Sequence, residues 1–172
     1  MLKLLLVSIV VLQATPNSPL TFTPPPGWTA RQPSSSMRVA EFTLPRAGSD
    51  AEDADLVLYF FGGSGGSVDA NIERWIGQMQ QPDGRASEQA ARRTSRAVNG
   101  LDVTLLDISG TYVAEMRPGS TERNNKPGYR MRAAVVTTPG GPYFVKAVGP
   151  ARTMEHWSAA IDAFIGSMRY QK

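Results

Sequence analysis

The chain has 172 residues, 41% of them hydrophobic and 19% charged, with 16 Gly and 13 Pro, a composition that fits one globular domain with frequent turns. The absence of cysteine excludes a disulfide framework, a thiolate zinc site and a thiol nucleophile, and a single histidine excludes His-rich metal sites. Eighteen basic side chains against fifteen acidic ones give a net charge of only +3. The charges are mixed along the chain and not gathered into an aromatic-interleaved stripe, so no nucleic-acid partner is expected.

Lys3 and the apolar run Leu4–Leu12 predict a signal peptide ending near Ala14. Such a run is too short to span a hydrocarbon core of roughly 30 Å as a helix, so an exported protein, periplasmic or secreted, with no membrane span after cleavage is expected. Leu12 departs from the usual small-x-small cleavage pattern and leaves the exact cut open. Residues 15–26 hold five prolines and predict an extended, polyproline-like lead-in. A single domain is expected over 27–172, entered through Gly27 and Trp28, with Trp28 as a core or lid residue.

Met37–Leu44 alternates, with Ala40, Phe42 and Leu44 on one side and Glu41 and Thr43 on the other, which predicts a strand with one wet face. Leu56–Phe61 is apolar at every position and predicts a central strand covered on both faces. Ile72, Trp75, Ile76 and Met79 follow helical spacing, with Ser67 or Asp69 available as cap. Further strands are expected near Leu101–Ile108, Thr111–Met116, Tyr129–Val136 and Tyr143–Val148, the last two joined as a hairpin through residues 138–142. Met154, Trp157, Ile161, Phe164, Ile165 and Met168 predict a closing amphipathic helix capped by Thr153. These elements give an α+β fold, a mainly antiparallel sheet flanked by helices as an α/β/α sandwich, with no internal repeat.

The most conspicuous motif is Gly62-Gly63-Ser64-Gly65-Gly66-Ser67, between the apolar strand and the first helix. Glycines there let backbone amides approach an anion. The Lys-Ser/Thr pair of a phosphate loop and the full dinucleotide spacing are both missing, so a flexible strand-to-helix turn is the plainer expectation. His156 points off the apolar stripe of its helix, which argues against a hydrolase triad. The acids Asp50, Glu52, Asp53 and Asp55 lack calcium-loop spacing and are expected to form a solvated turn. Arg117, Arg123, Lys126, Arg130 and Arg132, relieved by Glu115 and Glu122, are a candidate docking region for an acidic partner or simply a solvated loop. Lys146 interrupts an apolar strand face between Phe144 and Val148. It is expected as an edge-strand lysine whose head reaches water, with a ligand contact as the alternative.

Pro26-Gly27-Trp28, the strand Met37–Leu44, the stretch Leu56–Gly66 leading to Asn71-Ile72-Glu73-Arg74-Trp75, and the Tyr143–Lys146 strand before a terminal helix resemble an exported bacterial family of unassigned function. Its architecture is similar to that of the photosystem extrinsic protein PsbP and the Ran-binding Mog-type proteins. The resemblance implies an antiparallel sheet between helices and a binding or assembly role without catalysis.

The expected function is therefore an exported, non-enzymatic binding or accessory module that meets a protein partner, with no cofactor and no metal. The candidate binding residues are Gly62, Gly63, Gly65, Gly66, Ser67, Asn71, Arg74 and Lys146. Two other readings compete with it. One is a small hydrolase or transferase using Ser64 or Ser67 beside the glycine loop as an anion site. The other is a carrier of a small apolar ligand, with a cavity lined by Trp28 and Trp75.

Overall fold

Alternating and continuous apolar runs fold into an eight-stranded sheet with helices on its two faces, and the two short terminal strands pair in a separate two-stranded sheet. The computed structural model describes residues 18–171. The expected signal peptide lies outside the described residues. In chain order the elements are β1 (Leu20–Thr21), β2 (Thr29–Arg31), β3 (Arg38–Leu44), β4 (Ala54–Phe60), α1 (Val68–Ile76), β5 (Met79–Gln80) and α2 (Ser87–Ala90). There follow β6 (Arg92–Val98), β7 (Leu101–Tyr112), β8 (Lys126–Thr137), β9 (Tyr143–Pro150), α3 (Ala151–His156), α4 (Ser158–Gly166) and β10 (Arg169–Tyr170).

The main sheet runs β2-β3-β4-β9-β8-β7-β5, with β6 also on the outer side of β7. Every pairing in it is antiparallel. Against one face pack Met154, Ile161, Phe164 and Ile165 of α3 and α4, over Phe42, Leu56, Leu58, Val145 and Ala134. Against the other pack Ile72, Trp75 and Ile76 of α1, over Leu106, Ile108, Met131, Val135 and Phe144. The architecture is the expected α/β/α sandwich.

Several local expectations change. The lead-in is not a separate tail: β1 pairs with β10, and Leu20 and Phe22 are buried in the core, so the packed domain starts before residue 27. Trp28 packs at 5.6 Å from Phe42 and 5.4 Å from Phe164, centroid to centroid. It therefore lies on the opposite sheet face from Trp75, and a ligand cavity lined by both does not exist. Helix α1 stops at Ile76, so Met79 is buried from β5 and not from the helix. Strand β7 runs through Thr111 to Tyr112, and 113–116 continue it only as an isolated bridge, Glu115 to Arg123. Strand β6, rich in Arg and exposed from Arg92 to Ala97, was not visible as a strand because it is an edge with little apolar alternation.

The closing helix is jointed at Trp157, whose φ of −91° and ψ of 2° leave helical geometry, while its indole donates to the Pro45 carbonyl at 2.8 Å. Thr153 is not the cap, because α3 begins earlier, after Pro150. Instead, Asp50 reaches across from the β3–β4 loop and accepts from the Thr153 amide at 2.8 Å and its hydroxyl at 2.7 Å. The carboxylate thus satisfies an early amide of the helix and stabilises its positive end.

The expected basic docking region is largely consumed inside the fold. Arg130 donates to both oxygens of Asp107, at 2.8 and 2.6 Å, and also meets Glu155. Arg132 pairs with Asp162 at 2.8 Å, and Lys126 with Glu52 at 2.5 Å. The acid cluster is engaged in the same way, with Asp53 accepting from the Arg46 amide at 2.9 Å and Asp55 meeting Arg31 at 2.8 Å. Asp107→Asn should cost about 1–2 kcal/mol in urea unfolding, since it breaks a forked ion pair that is only partly exposed. An unchanged midpoint would show that water replaces the carboxylate without loss.

Candidate functional site

Helix α1 is only nine residues long and covers the β7–β8–β9 half of its sheet face. Over the other half, above β3, β4 and β9, an open cleft of about 1020 Å³ remains. Its far wall is the loop after β7, with Ala114, Met116 and Arg123, and its near wall is the end of α1, with Arg74, Gly77 and Gln78. Five cationic side chains line it (Arg31, Arg38, Arg74, Arg123 and Lys146) against three carboxylates (Glu41, Asp55 and Glu115).

Strand parity explains who faces the cleft. On β4, Asp55, Val57 and Tyr59 point into it while Leu56 and Leu58 enter the opposite core. Lys146 sits beside Val57 in the register, on β9, which lies between β4 and β8. The edge-strand expectation for Lys146 is therefore wrong: its strand is interior, and its ammonium crosses the cleft floor. Nζ donates to Gln78 Oε1 at 2.5 Å and to the Tyr112 hydroxyl at 3.1 Å, and lies 5.1 Å from the Tyr112 ring centroid. Among the described residues no carboxylate comes within 4.0 Å of it. Burial, reinforced by the Arg74 charge, pushes the Lys146 amine down to about 8. Burial, and then the neighbouring Tyr59, pushes the Tyr112 phenol up to about 12.

Glu41 was expected on a wet face, yet it is 5% exposed. Its carboxylate accepts from the Ser34 amide at 2.7 Å and hydroxyl at 2.8 Å, and meets Arg38 at 3.1 Å. Burial alone would raise its pKa, but the Ser34 hydrogen bonds and the Arg38 charge outweigh it and hold the carboxyl below its ordinary value. Glu41 and Asp55 therefore neutralise Arg31 and Arg38, whereas Lys146 and Arg74 have no carboxylate within 4.0 Å among the described residues.

The glycine-loop candidates divide. Arg74 lines both the cleft and a shallow surface formed by Gly62, Gly65, Gly66, Met37, Phe60 and Phe61. Gly63 packs against Gly141 of the β8–β9 hairpin. Ser67 is the α1 cap, its hydroxyl accepting from the Ala70 amide at 3.1 Å. Asn71 is 1% exposed, and its amide donates to the Gly65 and Ser67 carbonyls, each at 2.8 Å, while its carbonyl oxygen accepts from Arg74. Asn71 thus pins the loop and orients Arg74 instead of facing a partner. Gly65 is required because a Cβ there would fall 2.3 Å from the Phe144 ring. Asn71→Leu should cost about 1–2 kcal/mol in thermal unfolding, because the Gly65 carbonyl and the Arg74 guanidinium lose their side-chain partner and the Ser67 carbonyl keeps only the Asn71 backbone amide. A loss below about 0.5 kcal/mol would mean that the loop is not held this way.

The triad reading finds no geometry. His156 is exposed on α3, edge-on to Trp157 at 4.8 Å, whereas the glycine loop belongs to the α1 face of the sheet. Among the described residues no group of three or more acidic or imidazole side chains could hold a metal. No helix of the described residues is long and apolar enough to cross a membrane.

An antiparallel sheet between α1 and the α3–α4 pair, with a polar cleft where α1 falls short, defines the chain as an α+β sandwich of the PsbP-like fold. It is similar to the solution structure of cyanobacterial PsbP from Synechocystis sp. PCC 6803, with a TM-score of 0.51 and 14% identity over 99% of this chain and 98% of that one. It is also similar to the crystal structure of PA94, a protein of unknown function from Pseudomonas aeruginosa, with a TM-score of 0.52 and 13% identity over 84% of this chain and 98% of that one. No family model matches the chain, and no curated protein matches it by sequence.

Proposed function

We propose that this protein is an exported, non-enzymatic binding or accessory module that recognises its partner through the cleft beside α1. The observation that carries the reading is the uncovered half of the sheet face, a cleft of about 1020 Å³ with two more cationic than acidic side chains in its lining. A concave site of that size with a few convergent polar groups is the usual form of a ligand or partner site. The run Leu4–Leu12 after Lys3 supports export.

The test is affinity capture of the mature protein from its native envelope fraction, with identification of bound proteins and extracted small molecules. Charge reversal in the cleft, Arg74→Glu with Arg123→Glu, should remove the captured species. Arg152→Glu, exposed on α3 across the sheet, should leave it in place. Equal capture by all variants would overturn the cleft assignment. Mass spectrometry of the exported chain should show loss of an N-terminal segment ending near Ala14, the small residue that follows the apolar run. An intact Met1 would overturn export by a cleaved signal.

A further inference from the structure

We infer that the floor of the cleft is a carboxylate-binding site, in which Lys146, Tyr112 and Arg74 receive the acid group of a small organic acid whose apolar body lies against the cleft walls. The inference rests on the cleft reading above and names its ligand class.

Three observations converge on it. The first is an unfilled set of donors. A lysine ammonium carries three N–H donors, and two of those on Lys146 are engaged, by Gln78 Oε1 and by the Tyr112 oxygen. Since the Tyr112 hydroxyl accepts from Lys146, its own hydrogen is left to donate elsewhere. Arg74 uses its guanidinium on Asn71 Oδ1, one acceptor for a group with five N–H donors. The second is charge. Arg31 and Arg38 already have carboxylates within 4.0 Å, whereas Lys146 and Arg74 have none among the described residues. The half-buried Lys146 ammonium is withdrawn from water without a counter-ion, a cost that a bound anion relieves, while the exposed Arg74 adds its positive charge at the wall. The third is shape. Beside this charged floor stand Val57, Tyr59, Val148 and Ala114, with Met116 at the rim, 59% exposed. An inorganic anion would leave that apolar lining unused, whereas an organic acid covers it.

A carboxylate fits the donors better than a phosphate. It offers two oxygens with about four lone-pair sites and a single negative charge, which suits one ammonium, one hydroxyl and one guanidinium edge.

The test is isothermal titration of the full mature protein with octanoate and benzoate, using octanol, octyl phosphate and inorganic phosphate as comparison probes. Octanoate or benzoate is expected to bind with a dissociation constant at or below about 1 mM, and octanol not to bind. Lys146→Met should weaken the carboxylate by roughly ten- to hundredfold, as loss of a charge-assisted hydrogen bond does. Arg74→Gln should weaken it less, because its guanidinium lies at the cleft wall. Thermal unfolding of both variants keeps the result readable, since a folded Lys146→Met that still binds octanoate with unchanged affinity overturns the proposal. Absence of carboxylate binding at about 10 mM also overturns it, as does tighter binding of octyl phosphate or inorganic phosphate than of octanoate. If the probes fail while Arg74→Glu still abolishes envelope capture, the carboxylate site falls and the cleft reading stands.

Discussion

Gly149→Ala should lower the stability of the domain by about 2–3 kcal/mol, which for a chain of this size corresponds to roughly 5–10 °C in Tm. Gly149 lies near the end of β9, where that strand runs closely past the start of β4. A Cβ at this position would fall 2.3 Å from the Ala54 Cβ and 2.7 Å from its Cα. Moving a side-chain tip would not relieve the contact, because the Ala54 backbone itself stands in the way, and Ala54 is fully buried. The strands must separate, and that strains the β4–β9 ladder between Asp55 and Val148 that carries Lys146. Gly166→Ala is the matched control. Its Cβ meets nothing within 4 Å, and the residue closes α4 without a left-handed backbone. There the added methyl should be neutral or stabilising by up to about 1 kcal/mol, through a stiffer unfolded chain. Equal Tm values for the two variants would show that the β4–β9 approach is not tight.

The contrast between these two glycines also shows what can be read from sequence alone. Apolar periodicity marked the sheet, the two helical faces and the central position of Leu56–Phe61, because burial on one or both faces leaves a direct imprint on residue order. It could not tell Gly149 from Gly166, since a close approach between strands depends on a partner distant in the chain. Glu41 illustrates the same limit. Its alternation with Phe42 was correctly read, but the assumption that the second face is wet failed, because Ser34 and Arg38 fold back over it. Thr153 failed as a cap for a similar reason, since Asp50 takes that role from 103 residues away.

The candidate site was legible only in part. Lys146 stood out as a charge within an apolar strand face, and Arg74 as the residue opposite the buried stripe of α1. That the two line one cleft follows from strand order, which places β9 next to β4 and the end of α1 above them. Gln78 and Tyr112 carried no visible signal. Their roles come from the turn after α1 and from the extension of β7 past Ile108. The glycine loop drew attention for its composition, yet Ser67 and Asn71 use their polar atoms to close the loop on itself.

Lys146→Met is expected to make the ligand-free protein more stable near neutral pH, by about 1–2 kcal/mol, the opposite of what removal of a structural salt bridge would do. Methionine retains most of the packing volume, and the side chain it replaces is an ammonium that meets no carboxylate among the described residues and is pushed down to about 8 from 10.5 by burial and by Arg74. The penalty behind that shift is on the order of 3 kcal/mol, and the lost hydrogen bonds to Gln78 and Tyr112 offset part of the gain. Below pH 8 the ammonium is protonated in both states, and the folded protein carries the penalty in full. Between pH 8 and 10.5 the unfolded chain holds a proton that the folded chain has released, so wild-type stability rises through that window. The groups facing Lys146 include Arg74 from α1, Tyr112 from β7 and Tyr59 from β4, and both phenols are shifted upward by burial. They act in the opposite sense above about pH 10, where the unfolded tyrosines ionise first and stability falls. Because wild type and variant share those tyrosines, their difference isolates the lysine. Urea unfolding should show the variant ahead at about pH 7.5 and the two proteins converging by about pH 9.5. A variant less stable than wild type at neutral pH, or a gap that does not close with rising pH, would mean that the Lys146 charge is compensated within the fold and that its cleft has no need of an anion.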